Sequence, residues 1–321
     1  MRGVGVYLFF LVPLGVGVAV VLGVGLLILR LTRRGVRWSQ IPDPVAQRWR
    51  TLSATAWWVG AALAVVAVAL IAGADDLGRG LLLTPLVFGL VLVAATGVGE
   101  LITARSPGPR PTGDREVTLE VRTVTGLVPL GRRVVAVLGM VAVLLVTVLA
   151  ALVSVSDDLG RAGRALPYSS ADGAAEGWRG PWPGWFYTIP IWILLAALLV
   201  TVAWVLRLVV DRPRSGPGAR ERYLDDLIRR TTAQRVVALV ALVSFGTAWL
   251  TAVMGLTGLT GAGDSEFYPG TTVSLYAVGW VCLAALLVLG AASVLALVQL
   301  LAPVLPTQPA PSPQEQGAQP S

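Results

Sequence analysis

The chain contains no histidine and no lysine, and it has one cysteine in 321 residues. Without histidine there is no imidazole ligand for haem, no histidine-bearing zinc site, no Ser-His hydrolase pair and no histidine proton relay. Without lysine there is no Schiff base. One cysteine, Cys282, excludes an intrachain disulfide and an intramolecular dithiol exchange. Charge is scarce as well: 13% of residues are charged while 55% are hydrophobic. A soluble domain of that composition would lack the polar surface to cover it. An enzyme would have to work with Asp, Glu, Arg, Ser, Thr or Tyr alone, so the sequence reads as non-catalytic, with no cofactor expected.

What the chain does have is long apolar runs. A hydrocarbon core of about 30 Å takes about 20 apolar residues in a helix. Seven runs meet that length, at about 6–29, 54–74, 81–103, 134–155, 187–209, 236–256 and 272–301. The expected fold is an all-α membrane protein with a seven-span domain over residues 1–305 and a disordered cytoplasmic tail over 306–321, rich in Pro, Gln and Ser. The first run is longer than a secretory h-region, and Arg30, Arg33 and Arg34 follow it, so it reads as a retained anchor.

Every basic residue is an arginine, and the runs sort them: 20 of the 25 fall in alternate loops, against five (Arg2, Arg79, Arg161, Arg164 and Arg179) on the other side. Cytoplasmic loops keep arginine, which predicts a plasma-membrane protein with its N-terminus outside and its C-terminus in the cytoplasm. The same sorting explains the net charge of +7 through topology and anionic lipid, without nucleic acid.

The pentapeptide Asp75-Asp76-Leu77-Gly78-Arg79 recurs as Asp157-Asp158-Leu159-Gly160-Arg161. Leu83-Thr84-Pro85-Leu86-Val87 parallels Thr188-Ile189-Pro190-Ile191-Trp192, which implies an insertion of about 23 residues in the second outer loop. Both prolines are expected in first helical turns. Arg133-Val134-Val135-Ala136 matches Arg235-Val236-Val237-Ala238. The architecture inferred is one N-terminal helix followed by three repeated hairpins, spans 2–3, 4–5 and 6–7.

Two groups of residues are candidates for a site. Asp75, Asp76, Asp157, Asp158 and Asp264 would lie at the outer surface, either as oxygen ligands for a divalent cation or as helix caps and turns with Arg79 and Arg161 pairing locally. Trp178, Trp182, Trp185 and Tyr187, with Phe186, sit in the longest outer loop, as interfacial aromatics or as a ligand-binding lid. Gly261-Ala262-Gly263-Asp264 matches the Gly-x-Gly-Asp signature of intramembrane aspartyl proteases, but span 6 has no acid, so a turn is the simpler reading.

Inside the spans Glu100 is the only acid, with Arg105 within reach as its partner. Ser244, Thr247 and Thr251 form a hydroxyl stripe, and Gly15, Ala19 and Gly23 a small-residue stripe; both patterns suit close helix packing. Residues 116–124 alternate with a strand-like period, and 220–235 form an amphipathic helix with Asp225–Arg229 among its four-spaced pairs. That helix reads as a solvated extension of span 6 or as a surface for a partner.

The two pentapeptides, Trp178-Arg179-Gly180-Pro181-Trp182-Pro183-Gly184 and the lysine-free, arginine-rich loops together resemble uncharacterised multi-pass integral membrane proteins of high-GC actinobacteria. That resemblance implies a plasma-membrane location and no assigned activity. The functional expectation is a scaffold, subunit or sensor in the lipid bilayer, with protein partners at its cytoplasmic loops. The alternative is a small-molecule or lipid permease built on hairpin repeats.

Overall fold

The computed structural model describes residues 44–74, 77–105, 123–169, 176–212, 219–260 and 275–301. Seven helices occur among them: α1 (Pro44–Gly73), α2 (Arg79–Arg105), the single turn α3 (Val124–Leu127), α4 (Leu130–Leu152), α5 (Trp185–Asp211), α6 (Ala219–Thr260) and α7 (Leu275–Leu301). Two strands, β1 (Leu166–Ser169) and β2 (Glu176–Arg179), form an antiparallel hairpin between α4 and α5, where the offset between the repeats predicts an insertion.

Six of the helices are long and apolar enough to cross a membrane, and they coincide with the second to seventh expected runs. The first run, at 6–29, lies outside the described residues, as does the tail at 306–321. Backbone polar groups in hydrocarbon must be satisfied within the chain, which a helix does and an open strand does not. The helical form of the runs follows from that.

α6 is the axis of the bundle. Of its apolar window 67% is buried, against 11% for that of α1 and 17% for that of α7. α1 and α2 pack as an antiparallel pair, Gly60 meeting Ala95 and Gly99 meeting Ala56, and α7 packs on α6. α4 packs chiefly on α6 and α5 chiefly on α2, so the segments expected as a middle hairpin find their main partners elsewhere. Gly139 marks the α4–α6 contact: a Cβ there would meet the Ala241 carbonyl oxygen and the Ser244 Cβ at 3.2 Å. The absent side chain is what lets the two backbones approach.

At 42 residues, α6 is roughly 63 Å long at about 1.5 Å per residue, about twice the hydrocarbon thickness. Its first part, the amphipathic stretch at 220–235, is therefore a continuation of span 6, but one face of it is buried rather than solvated, with Asp226 and Arg235 on the exposed side. Leu224, Asp225, Leu227, Ile228, Arg229, Thr232 and Gln234 are all buried, which corrects the expectation. α3 lies beside it, with Gln234 Nε2 donating to the Leu127 carbonyl at 3.1 Å. The strand-like pattern at 116–124 falls outside the described residues except for Thr123 and Val124, and Val124 opens α3.

The two prolines are also placed differently from expectation. Pro85 and Pro190 sit inside α2 and α5, in their second turns. Proline has no N–H for the carbonyl four residues back. In α2 that carbonyl belongs to Leu81, and it accepts instead from Thr84 Oγ1 at 2.7 Å.

Candidate functional site

Among the described residues the paired charges collect at the two ends of the bundle. One end holds the last turns of α2 and α5 and the early turns of α6; the other holds the α1–α2 turn, the segment from α4 to α5 and the last turns of α6.

At the first end Glu100, Arg212, Asp225 and Arg229 form a chain of ion pairs, each residue at most 3% exposed. Arg212 Nη1 meets Glu100 Oε2 at 3.0 Å and Arg212 Nη2 meets Asp225 Oδ1 at 2.7 Å. Arg229 Nε meets Asp225 Oδ2 at 2.8 Å. Arg229 also donates to the carbonyls of Val209, at 2.8 Å, Val210 and Arg212, the orphan acceptors where α5 ends. Thr232 Oγ1 donates to Glu100 Oε1 at 3.0 Å. Three helices are thereby tied by a shared set of charges. Isolated buried ions would each cost roughly several kcal/mol, and pairing with several hydrogen bonds is what offsets it.

The expected partner of Glu100 is corrected here: it pairs with Arg212, not with Arg105, which is exposed at the end of α2. Arg105 is five residues along the same helix, off the face that meets α5 and α6. Of the four-spaced pairs in 220–235, Asp225–Arg229 forms. The sequence gives no sign that it joins Glu100.

At the other end Asp157 organises its turn. Its Oδ1 accepts from the backbone N–H of Leu159 and Arg161, at 3.1 and 2.9 Å. Its Oδ2 accepts from Arg161 Nε and Arg164 Nη1, at 2.8 and 2.9 Å. Gly160 takes φ +73°, where glycine is at ease. Burial pushes the Asp157 carboxyl up, but the hydrogen bonds from Arg161 and Arg164 and the charge of Arg161 outweigh it and hold the group at about 2. This is the turn reading with local arginine pairing, and both carboxylate oxygens are taken. Asp158 is exposed, whereas Asp75, Asp76 and Asp264 lie outside the described residues. Among the described residues no group of three or more His, Cys, Asp or Glu could hold a metal ion.

The two pentapeptides differ in backbone. Leu77 has φ +56°, and it is the one non-glycine residue with positive φ among the described residues; Leu159 does not share it. The first copy stands between α1 and α2 in the chain, while the second precedes the β-hairpin. Tyr187 links the first copy to Arg164, the partner of Asp157 in the second: its hydroxyl donates to the Leu77 carbonyl at 2.9 Å while Arg164 Nε donates to the same hydroxyl at 3.4 Å. Phe186 lies against the guanidinium of Arg79, 4.8 Å from the ring centroid, a favourable cation–π distance.

The aromatic group divides into two kinds. Trp182 and Tyr187 are buried at 8% and 0% exposure, whereas Trp178 and Trp185 are 57% and 40% exposed. Trp182 Nε1 donates to the Ala150 carbonyl at 2.8 Å, and its ring lies beside Gly255 and Gly258 of α6. The loop is thus fastened to α4 and α6 by Trp182. Trp185 stacks edge-on to Trp192 at 5.8 Å, and Trp192 Nε1 donates to Thr147 Oγ1 at 3.0 Å.

In the hydroxyl stripe Thr247 and Thr251 donate to the Val243 and Thr247 carbonyls of their own helix. The Ser244 hydroxyl is buried without a hydrogen-bond partner among the described residues, beside Gly139. Thr96, Thr103 and Thr147 likewise bond within their helices.

The fold and its two polar ends define a helical bundle suited to a lipid bilayer. Comparison with protein-family models, with curated proteins and with solved structures finds no match to this chain.

Proposed function

We propose that the chain is a non-catalytic integral protein of the plasma membrane, acting as a scaffold, subunit or sensor whose protein partners dock at its arginine-rich cytoplasmic face. The observation that supports this reading is where the buried charges go: Glu100, Arg212, Asp225 and Arg229 bond to one another and to helix-end carbonyls. A carrier keeps ionisable groups available to its cargo near the midplane. In this bundle they fasten helices, and most span hydroxyls turn back on their own backbones.

With the apolar run at 6–29 counted, the reading has seven spans, an N-terminus outside and a cytoplasmic C-terminus, supported by the arginine sorting. It follows that Asp158→Cys, made on a Cys282→Ser background, will react with an impermeant maleimide in intact cells. Arg207→Cys will react only after permeabilisation. The reverse pattern would invert the topology.

The partner is sought by affinity purification in mild detergent followed by mass spectrometry. Arg105 and Arg207 are exposed at the arginine end and outside the ion-pair chain, so Arg105→Glu with Arg207→Glu tests docking without touching the fold. A near-stoichiometric protein lost in that variant, at unchanged thermal stability, supports the reading; recovery of the chain alone refutes it.

A further inference from the structure

The outward face of α5 carries a tryptophan at each end. Trp185, Ile189, Ile193, Val200 and Trp204 are 39–71% exposed and share that face by their spacing, opposite the buried Ile191, Leu198 and Val205. No charged residue stands between the two tryptophans, which are roughly 28 Å apart along the helix at about 1.5 Å per residue. That is close to the thickness of a hydrocarbon core, about 30 Å. One turn beyond Trp204, on the same face, comes the exposed Arg207, a cation suited to anionic headgroups.

A second helix marks the same level as Trp204. The Trp204 ring lies against Gly97 of α2, and α2 meets α1 through Ala95 on Gly60 and Gly99 on Ala56. Trp58 stands between Ala56 and Gly60 and is 72% exposed, so it is level with Gly97 and Trp204. Two exposed indoles on separate helices at one depth, and a third a hydrocarbon thickness away, fit the two interfaces of a bilayer. There an amphipathic ring puts its N–H among headgroups and its body against acyl chains. We propose that this face of α5 lies against lipid acyl chains, with Trp185 at one headgroup level and Trp204 and Trp58 at the other. The placement rests on the bilayer reading of the proposed function and fixes its depth. Glu100, one turn past Gly97, then lies at headgroup level, and the ion-pair chain with it, away from the midplane.

The test is fluorine NMR of the full chain labelled with fluorotryptophan, in nanodiscs of phosphatidylglycerol and phosphatidylcholine. A paramagnetic lipid is added, labelled either at the headgroup or at the chain end. Trp58→Phe, Trp185→Phe and Trp204→Phe assign the signals. The headgroup label should broaden all three at least about threefold more than the chain-end label, and the signal added by Ile193→Trp should show the reverse. Equal broadening by the two labels, or a stronger effect of the chain-end label at any of the three, overturns the proposal. So does silence at Trp185, Trp204 and Ile193→Trp while Val141→Trp on α4, where Val141 is 52% exposed, responds to the chain-end label; another segment, such as the apolar run at 6–29, would then cover α5. If Val141→Trp is silent as well, the bilayer reading fails and this placement with it. If Trp204→Phe does not fold, Arg207→Trp supplies the signal at that level, and a chain-end preference there overturns the proposal.

Discussion

Asp157 shows how one side chain can fix a turn and carry a pH signature. Its folded pKa, about 2, lies below the ordinary 3.8, so its contribution to stability is fully present above that ordinary value and is lost as pH falls from there through about 2. Wild-type thermal stability should therefore decline over that interval more than the stability of Asp157→Asn, which has already lost the carboxylate. Parallel pH profiles would remove Asp157 from the account. Trp182 is the second residue of this kind: Trp182→Phe gives up the hydrogen bond to the Ala150 carbonyl while keeping most of the apolar contact. The expected cost is about 1 kcal/mol, read as a lower unfolding midpoint. Part of this was legible in the sequence. The Asp-x-x-Gly-Arg spacing announced a capped turn, because every partner of the turn lies within seven residues of Asp157. Composition could not separate Trp182 and Tyr187 from Trp178 and Trp185, because burial is decided by what arrives from α4, α6 and the α1–α2 turn.

At the scale of elements, the apolar runs were readable because bilayer thickness sets a length that soluble helices do not need. Their ends were less readable. The start of α6 before its apolar run was legible as an amphipathic helix at 220–235, but the burial of one face of that stretch was not, since its tertiary neighbours are not displayed in the sequence. The middle hairpin was misleading for a related reason: chain proximity brings α4 and α5 together at their loop, but side-chain packing assigns α4 to α6 and α5 to α2. Gly139 is the test of that assignment. Gly139→Leu should drive α4 from α6, because even a Cβ meets Ala241 and Ser244 at 3.2 Å, at a cost of about 1–3 kcal/mol and with poorer recovery of folded protein. Val141→Leu, on the exposed face of the same helix, should change the midpoint little. Equal effects at the two positions would deny that α4 packs on α6 through Gly139.

For the whole molecule, the arrangement is a bundle of apolar helices around α6, fastened at one end by the Asp157 turn with Tyr187 and Trp182, and at the other by Glu100, Arg212, Asp225 and Arg229. Glu100 was visible in the sequence as an isolated intramembrane acid, but its partner was not. Arg105, Arg207 and Arg212 are all near the ends of apolar runs, and the choice among them is made by the packing of α2, α5 and α6. These charges hold the helices together, and a double-mutant cycle on Glu100 and Arg212 measures that coupling, by unfolding the protein in one mild detergent. Glu100→Gln and Arg212→Gln should each cost about 3–5 kcal/mol, because each leaves the buried cluster with one unbalanced charge. The double variant should cost less than the sum by about 1–3 kcal/mol. Single variants as stable as the wild type, or strictly additive losses, would contradict the account.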